Sequence, residues 1–182
     1  MMPSVRVVIW VVEGTWQGCL DAAGSSLPAG ARVALLHVTP SDVTGAAEAA
    51  SAGLLGRFPG RRATRPLQAV AHQAGAELLA AAAARLGRPD AELLEREGRV
   101  ELEVIRVVAE NVDLLVAARD GDHSRLGPHS LDPATRFVVD HAPCAVLLVW
   151  PDEPPGIESI PPPPPPGHLA PPPGHHPPPP PA

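Results

Sequence analysis

Two short apolar runs constrain the fold of this chain more than any other feature. The run VRVVIWVV covers residues 5–12, and the run ARVALLHV covers residues 31–38. Neither run alternates apolar and polar residues, as a strand with one face in water does. Strands that are apolar on both faces occur in parallel sheets that helices cover on each side. The sequence therefore predicts a buried parallel sheet in an α/β domain.

Helical patterns separate these runs from three further strand-like segments. Residues 66–87 predict a long helix with a proline in its first turn and Gly87 at its end. Residues 90–97, DAELLERE, alternate as a half-exposed edge strand does. Residues 112–118 and 144–150 predict two more buried strands.

Three shorter helices complete the pattern. Residues 15–26 predict a short helix that Gly18 and Gly24 interrupt. Residues 133–142 predict a helix between the last two strands, and residues 100–111 predict a helix with one apolar face. That apolar face is expected to consist of Leu102, Ile105, Val108 and Ala109.

This alternation of strands and helices determines the architecture. Successive strand–helix–strand units are right-handed and build a doubly wound parallel sheet. Five strands with a crevice beside the first strand fit the order 2-1-3-4-5 or its relative 3-2-1-4-5. In both orders, ligands bind at the carboxyl ends of the strands, where the strand order reverses. The sequence predicts one such domain over residues 1–150.

The composition excludes several classes of function. The net charge is −6, and all 14 basic residues are arginine. An acidic chain is not expected to bind nucleic acid or an anionic membrane surface. Without lysine, neither Schiff-base chemistry nor a P-loop lysine is available. The apolar run near the N-terminus is too short to span a membrane, so we predict a cytoplasmic protein.

Several conspicuous residues have structural explanations. The two cysteines do not make a disulfide framework, and Cys144 is expected to be a buried free thiol. His37 is expected to be a structural histidine at the end of a strand. Trp10 and Trp150 are expected to pack in the core and at an interface. A solvated loop, rather than an anion site, is expected for the arginine-rich connection that contains Arg57, Arg61, Arg62 and Arg65.

The composition changes to proline after residue 150. Residues 151–182 are predicted to be a disordered tail that samples extended polyproline II. Such a tail is either a solubilising extension or a ligand for a protein partner that binds proline-rich segments. Weak metal binding by the tail histidines is a less favoured alternative, because no carboxylate or thiolate accompanies them. These histidines are His168, His175 and His176.

Five segments carry a family resemblance. In chain order they are VVIWVVEG, GARVALLHV, ARLGRPDAELLEREG, VDLLVAARDG and HAPCAVLLV. Over about residues 4–150, their order and spacing resemble the universal stress protein (UspA) family. The resemblance implies an open five-stranded parallel sheet of order 3-2-1-4-5 with helices on both faces. It also implies a homodimer that pairs through the last strand, Ala145 to Trp150.

The family includes an ATP-binding branch and a branch that lacks the glycines of that site. The binding branch has the pattern G-x2-G-x9-G-(S/T) after the fourth strand. In this chain, the first two glycine positions correspond to Ala117 and Asp120. Counting back from HAPC, the last pair corresponds to Asp132 and Pro133, with two extra residues in the spacer. None of the three glycines is present.

The resemblance also supplies the remaining candidate crevice residues. Glu13 corresponds to the family's adenine-side aspartate at the end of the first strand. Val38 matches a position after the second strand that often lines the adenine pocket. Gly14, Val116 and Arg119 lie beside these positions and beside the altered motif.

The substitutions at the motif have a direct electrostatic consequence. Asp132 is a favoured N-cap residue and Pro133 a favoured first helical residue. The Asp132 carboxylate is therefore expected to lie at the positive end of the final helix, where an anion would otherwise bind. Asp120 adds a second negative charge, and two like charges about 4 Å apart repel by roughly 4 kcal/mol at an effective dielectric constant of 20. We therefore expect no cofactor and disfavour ATP.

Three alternatives remain for the loop after the fourth strand. A shifted phosphate cradle from Gly121 to Ser130, clamped by an arginine, would retain nucleotide binding. Hydrolase activity is disfavoured, because no G-x-S-x-G nucleophile motif is present. A divalent-metal site is less favoured than a solvated loop, and it would use Asp120, Asp122, His123 and His129.

The sequence as a whole favours a cytoplasmic, non-enzymatic stress-response dimer that does not bind ATP. A nucleotide-binding member of the family with an altered phosphate loop is the first alternative. A scaffold that acts through its proline-rich tail is the second. No nucleic acid or membrane partner is expected.

Overall fold

The computed structural model describes residues 4–28, 30–41 and 64–162, with only the backbone of residues 64–68. These residues form five strands and four α-helices. The strands are β1 (Arg6–Trp10), β2 (Arg32–Pro40), β3 (Glu92–Gly98), β4 (Leu114–Ala118) and β5 (Ala145–Val149). The helices are α1 (Trp16–Ser26), α2 (Thr64–Leu86), α3 (Val100–Val108) and α4 (Pro133–His141).

Two predictions fall wholly or partly outside these ranges. In the arginine-rich connection, Arg57, Arg61 and Arg62 lie outside the described residues, and Arg65 is described only by its backbone in α2. Most of the proline-rich tail, residues 163–182 with its three histidines, also lies outside.

All five strands are parallel and form one sheet of order β3-β2-β1-β4-β5. From β1 the chain first builds β2 and β3 on one side and then β4 and β5 on the other. The strand order therefore reverses between β1 and β4, which is where doubly wound sheets bind ligands. The predicted fold class is confirmed, and the order is the one that the family resemblance implies.

Each face of the sheet has its own hydrophobic core. On one face, Ile9 and Leu35 pack with Leu20 of α1 and Leu79 of α2. On the other face, Val8 and Leu36 pack with α3 and α4. The side chains of Val8, Ile9, Leu35 and Leu36 are fully buried. This burial on both sides explains why the strand sequences do not alternate between apolar and polar residues.

The ends of the long helix and the edge strand agree with the sequence pattern. The long helix begins at Thr64, two residues before the predicted start, and ends before Gly87. Gly87 has φ +66°, a left-handed conformation that ends helices and favours glycine. β3 lies at the edge of the sheet, and 47% of Leu93 is exposed there.

The predicted interruption of the first helix was wrong. α1 runs continuously from Trp16 to Ser26 through both glycines. A glycine inside a helix costs about 1 kcal/mol relative to alanine. Here Cys19, Leu20 and Ala23 bury the inner side of α1 against the sheet, and tertiary packing of this kind outweighs local propensity.

The apolar face of α3 also differs from the prediction. Leu102 is partly exposed and Ala109 is exposed. The residues that face the sheet are Val104, Val107 and Val108, of which only Val108 was predicted. The helix ends at Val108, and Ala109 therefore lies outside it. The three buried valines follow the helical spacing i, i+3, i+4, which places them on one face.

The burial of the cysteines differs from the prediction, which named Cys144 as the buried thiol. Cys144 is only half-buried, and Cys19 is fully buried. Burial raises the pKa of the Cys19 thiol to about 12. Burial also raises the pKa of Cys144. Neither thiol therefore has the lowered pKa of a reactive cysteine.

The chain continues to pack against the domain beyond residue 150. We call residues 151–162 the C-terminal segment. A short 3-10 turn, Ile157–Ser159, lies within it. Ser159 Oγ accepts a hydrogen bond of 3.0 Å from the Leu126 N–H. The start of the predicted tail is thus folded onto the loop that precedes α4, and the boundary predicted at residue 150 falls before the end of the packed structure.

In the ranges 4–28, 30–41 and 64–162, no helix has both the length and the hydropathy that a transmembrane span requires.

A pair of glycine substitutions tests the packing of the C-terminal segment. A Cβ atom at Gly18 would overlap the carbonyl oxygen of Pro151, whereas a Cβ at Gly24 would meet no atom within 4 Å. We expect Gly18→Ala to lower the free energy of unfolding by about 1 to 3 kcal/mol, because backbone must move. Gly24→Ala should raise it by up to about 1 kcal/mol. Urea unfolding measures both, and equal effects would show that Pro151 does not pack against α1.

A pH dependence is expected where α2 meets the edge strand. His72 Nδ1 lies 2.9 Å from Glu95 Oε1, and its Nε2 lies 3.5 Å from Glu97 Oε2. The hydrogen bond with Glu95 raises the pKa of His72. The folded state thus favours the protonated ring. The resulting stabilisation is complete below the unfolded pKa of about 6.5 and is lost as the pH rises through the folded pKa.

Thermal unfolding at about pH 6 and about pH 8 measures this effect, since the two values bracket the ordinary histidine pKa. The wild-type protein should lose more stability over this interval than His72→Gln does. Glu95→Gln removes the main cause of the shift and should reduce the pH dependence in the same way. An unchanged dependence in both variants would assign it to other groups.

Candidate functional site

The amino end of α4 lies at the centre of the candidate site. Asp132 is its N-cap residue, and Asp132 Oδ1 accepts a hydrogen bond of 2.7 Å from the Thr135 N–H. Pro133 is the first helical residue. The predicted cap is confirmed, and its carboxylate occupies the positive end of the helix dipole.

A second carboxylate reaches the same helix end. Asp120 Oδ1 accepts from the Asp132 N–H at 3.1 Å, and Asp120 Oδ2 accepts from the Thr135 hydroxyl at 2.6 Å. Burial raises the pKa of Asp120, the bonds from Thr135 and Asp132 lower it, and the Asp132 charge raises it. The helix end is therefore bonded to two acidic side chains of the same chain.

The loop between these aspartates, residues 119–132, is closed by its own backbone. We call it the β4–α4 loop. The Gly121 N–H donates to Ser130 O at 3.0 Å, and the Asp122 N–H donates to His129 O at 2.8 Å. A Cβ at Gly121 would overlap the His129 carbonyl oxygen, so only glycine permits this close approach.

Further amides of the loop have acceptors as well. The Ser124 N–H donates to Asp122 Oδ1, and the Leu126 N–H donates to Ser159 Oγ, each at 3.0 Å. The Ser130 N–H donates to Gly127 O at 3.2 Å. A shifted phosphate cradle from Gly121 to Ser130 would need such amides to turn towards an anion. In the structure they hold the loop together.

Both candidate clamp arginines also have partners. Arg119 donates to the Ser130 hydroxyl, and its guanidinium carbon lies 4.9 Å from the ring centre of Trp150. Arg125 Nε donates to Asp122 Oδ2 at 3.0 Å. Trp150 thus contributes a cation–π contact within the chain, and its place at an interface stays a prediction.

Three of the four proposed metal ligands are bonded to different parts of the chain. Asp120 binds the end of α4, whereas Asp122 binds Ser124 and Arg125. His123 Nε2 lies 2.8 Å from the Arg119 carbonyl oxygen. Within the described part of the chain, no group of three or more His, Cys, Asp or Glu side chains is arranged to hold a metal ion.

The remaining predicted crevice residues divide into two kinds. Glu13 and Gly14 are exposed in the turn between β1 and α1, where Gly14 has φ +86°. Val38, Val116 and Ala117 are buried in the sheet, with exposed fractions of 5%, 0% and 0%. These three side chains contribute to the two hydrophobic cores.

Two residues that shape this site, Thr135 and Ser159, were not predicted from the sequence, and Ser130 was predicted only as the end of the alternative phosphate cradle. Thr135 is 1% exposed and holds Asp120, and Ser130 is 0% exposed and receives Arg119. Ser159 ties the C-terminal segment to the loop. A threonine three residues after an aspartate N-cap is a local signal that could have been noticed. The contacts of Ser130 and Ser159 depend on tertiary proximity, which the local sequence does not encode.

The comparisons with known proteins are consistent with this fold. Residues 20–149 match the family model described as the universal stress protein family. No curated protein matches the chain significantly.

Several solved structures are similar in fold. A hypothetical protein whose biochemical function was assigned from its structure has a TM-score of 0.58 and 15% identity, over 80% of this chain and 95% of its own. The universal stress protein UspA from Lactobacillus plantarum has a TM-score of 0.54 and 20% identity, over 82% and 99%. A universal stress protein in complex with cAMP has a TM-score of 0.51 and 17% identity, over 82% and 98%. At these identities, the likeness demonstrates the fold.

Two substitutions at the cap test the local energetics. Asp132→Ala removes the acceptor for the Thr135 N–H, and we expect it to lower the free energy of unfolding by about 1 kcal/mol. Asp132→Asn retains an acceptor oxygen and should change stability by only a few tenths of that amount. Chemical denaturation of the two variants measures the difference. Equal losses would mean that the charge of Asp132, and not its hydrogen bond, stabilises α4.

Proposed function

This chain belongs to the universal stress protein family, and we propose that it acts as a cytoplasmic, non-enzymatic regulatory dimer that does not bind ATP. One observation carries the proposal. Asp120 and Asp132 both bond the amino end of α4, at the positions that correspond to glycines in the ATP-binding branch of the family. A helix end that has already bonded two carboxylates is a poor site for a further anion.

Electrostatics supports the exclusion of a triphosphate. A phosphate oxygen about 4 Å from either carboxylate would be repelled by roughly 4 kcal/mol at an effective dielectric constant of 20. Mg²⁺ would reduce this repulsion by neutralising part of the charge. The raised pKa of Asp120 indicates that burial already disfavours its charged form, and a second anion nearby would add to that cost.

The hydrogen bonds of the β4–α4 loop support the same conclusion. To receive phosphate oxygens, amides such as those of Gly121 and Asp122 would have to leave the Ser130 and His129 carbonyl oxygens. Each such exchange forfeits a bond worth about 1 kcal/mol and leaves a carbonyl group unpaired. Arg119 and Arg125 already donate to Ser130 and Asp122 within the loop, so turning either guanidinium fully towards a phosphate would break an existing contact.

The absence of enzymatic activity is proposed from the loop's polar contacts. The Ser124 hydroxyl donates to Asp122 at 2.5 Å, and the Ser130 hydroxyl donates to Gly127 O at 2.7 Å. In the β4–α4 loop, the hydroxyl groups of Ser124 and Ser130 thus bond an aspartate and a main-chain carbonyl group, and not a histidine nitrogen. A serine nucleophile needs such a base to become reactive.

The dimer is proposed from the free edge of the sheet. The Ala145 N–H donates to Asp113 O, and Val149 O accepts from the Arg119 N–H. Because main-chain groups alternate along a strand, those of Val146 and Leu148 point away from β4. They can pair with the same strand of a second copy, as the family resemblance implies. Pairing would cover an apolar edge strand that is otherwise open to aggregation.

A second candidate function is the binding of a cyclic nucleotide. One solved universal stress protein with this fold is in complex with cAMP. A cyclic monophosphate carries a single negative charge, so two nearby carboxylates would repel it less than they repel a triphosphate. The absence of ATP binding would therefore not exclude cAMP binding.

Calorimetric titration with MgATP tests the main proposal. We expect no saturable micromolar binding to the wild-type protein. The double variant Asp120→Asn/Asp132→Asn keeps acceptor oxygens at the end of α4 but removes both charges, and it should bind at least about tenfold more tightly, which is about 1.4 kcal/mol. Asp140→Asn, in the last turn of the same helix, is the matched control and should have no effect.

Saturable micromolar binding of MgATP by the wild-type protein would overturn the proposal. A double variant that binds no better than Asp140→Asn would show that the carboxylates are not the cause of the exclusion. A parallel titration with cAMP separates the second candidate, which requires binding of cAMP alone.

Light scattering tests the dimer. The chain has a mass of 18.9 kDa, and we expect twice that mass in solution. Leu148→Pro removes an N–H that points away from β4, and it should give a folded monomer. Leu147→Pro removes an N–H on the β4 side and should instead destabilise the domain, as circular dichroism would report. A wild-type monomer, or a dimeric Leu148→Pro, would exclude pairing through this edge.

A further inference from the structure

An open groove of about 470 Å³ lies along α4, outside the crevice between β1 and β4. Its helical lining residues include Pro133, Phe137 and His141. At about 100° per residue, these positions lie within about 80° of one another, and their centre is about 160° from Thr135, which is buried against the domain. The groove therefore faces outwards.

The floor of the groove is aromatic. The rings of Phe137 and His141 are stacked, with centroids 4.0 Å apart and an interplanar angle of 12°. His141 Nδ1 lies 2.8 Å from the Phe137 carbonyl oxygen, and this hydrogen bond fixes the histidine ring. Leu131 and Pro133 extend the apolar surface. A rigid aromatic pair flanked by apolar side chains is the kind of surface on which proline rings pack.

Polar groups at the rim suit a ligand with many carbonyl groups. Arg136 lines the groove and uses one guanidinium N–H on the Pro128 carbonyl oxygen. A guanidinium has five N–H donors, so it retains others for a ligand. Asp140 also lines the groove and can accept from an imidazole N–H. Proline-rich segments present main-chain carbonyl oxygens and no N–H groups at proline.

The C-terminal segment is bonded to the same loop that contributes His129 and Leu131 to the groove. Ser159 is bonded to Leu126. Two residues further along the loop, the Pro128 carbonyl oxygen accepts from Arg136. The description ends at Pro162, and residues 163–182 follow. They contain the sequence PPPPGHLAPPPGHHPPPPPA. In polyproline II, with a rise of about 3.1 Å per residue, about four residues would match the roughly 12 Å length of the α4 stripe.

We propose that the groove along α4 is a docking site for the proline-rich tail of the same chain, residues 163–182. Prolines pack on the Phe137–His141 pair, Arg136 donates to the tail's carbonyl groups, and Asp140 accepts from a tail histidine. The tether holds the tail at millimolar effective concentration, so a weak contact is sufficient. Polyproline II also loses little conformational entropy on binding.

This contact would make the tail a regulated ligand. A tail docked on α4 is unavailable to a protein partner that binds proline-rich segments. Such a partner therefore competes with the groove for the tail. Because Ser159 is bonded to Leu126, a change that moves the β4–α4 loop also moves the start of the tail. The inference does not depend on whether the crevice binds a nucleotide.

Nuclear magnetic resonance tests the docking. We compare amide spectra of the full chain and of a chain that ends at Pro162, which retains the whole sheet and both cores. The truncation should shift the amide signals of residues 129–141 and leave those of α2 unchanged. A synthetic peptide of residues 163–182 should restore the original positions in a saturable way.

Point variants in the full chain provide the specific readout. Phe137→Leu keeps apolar bulk but removes the aromatic stack, so truncation of this variant should no longer shift the signals of residues 129–141, and peptide binding should weaken at least fivefold. Leu93→Ala, an exposed apolar residue at the far edge of the sheet, is the matched control and should have no effect.

Two outcomes overturn the proposal. Unchanged signals for residues 129–141 after truncation would mean that the tail does not occupy the groove. If the signals of the full chain depend on protein concentration, as followed by light scattering on the same samples, the occupant is the tail or surface of a second copy. Neither outcome changes the result expected from the MgATP titration, so the docking proposal and the proposed function can fail separately.

Discussion

Two carboxylates accept hydrogen bonds from the amino end of α4. The surface where the strand order reverses, between β1 and β4, depends on these bonds. A helix end has unpaired N–H groups and a partial positive charge, so an anion stabilises it. Here Asp132 supplies that anion from the cap position, and Asp120 supplies another from the loop. Because Asp120 and Asp132 are joined through the helix end, the loop between them closes on itself, and its amides bond carbonyl groups of the loop.

The closed loop in turn provides a surface for the end of the chain. Trp150 covers the Arg119 guanidinium at 4.9 Å, and Ser159 receives the Leu126 N–H. On the other side, Pro151 lies against Gly18 of α1. The C-terminal segment thus connects the first helix, the altered loop and the start of the proline-rich tail.

The fold of this molecule depends on its buried strands and not on the loop at the candidate site. The five-stranded sheet, with its strand order reversing between β1 and β4, is that of the universal stress proteins. The burial of β1 on both faces stabilises this sheet. The loop after β4 contributes little to either hydrophobic core. The sequence of this loop can therefore vary without loss of the fold, as expected when function is located in loops carried by a rigid scaffold.

The sequence by itself determined the parallel sheet, the element order, the edge position of β3 and the Asp132 cap, because each follows from local periodicity or local hydrogen bonding. Only the tertiary structure decided the rest. It kept α1 continuous through Gly18 and Gly24, since packing against the sheet outweighs glycine's propensity, and it chose Val104 and Val107 for the inner face of α3. It also brought Asp120 to Thr135 and Ser159 to Leu126. These pairs lie 15 and 33 residues apart in sequence, and only the folded chain brings such distant groups within hydrogen-bonding distance.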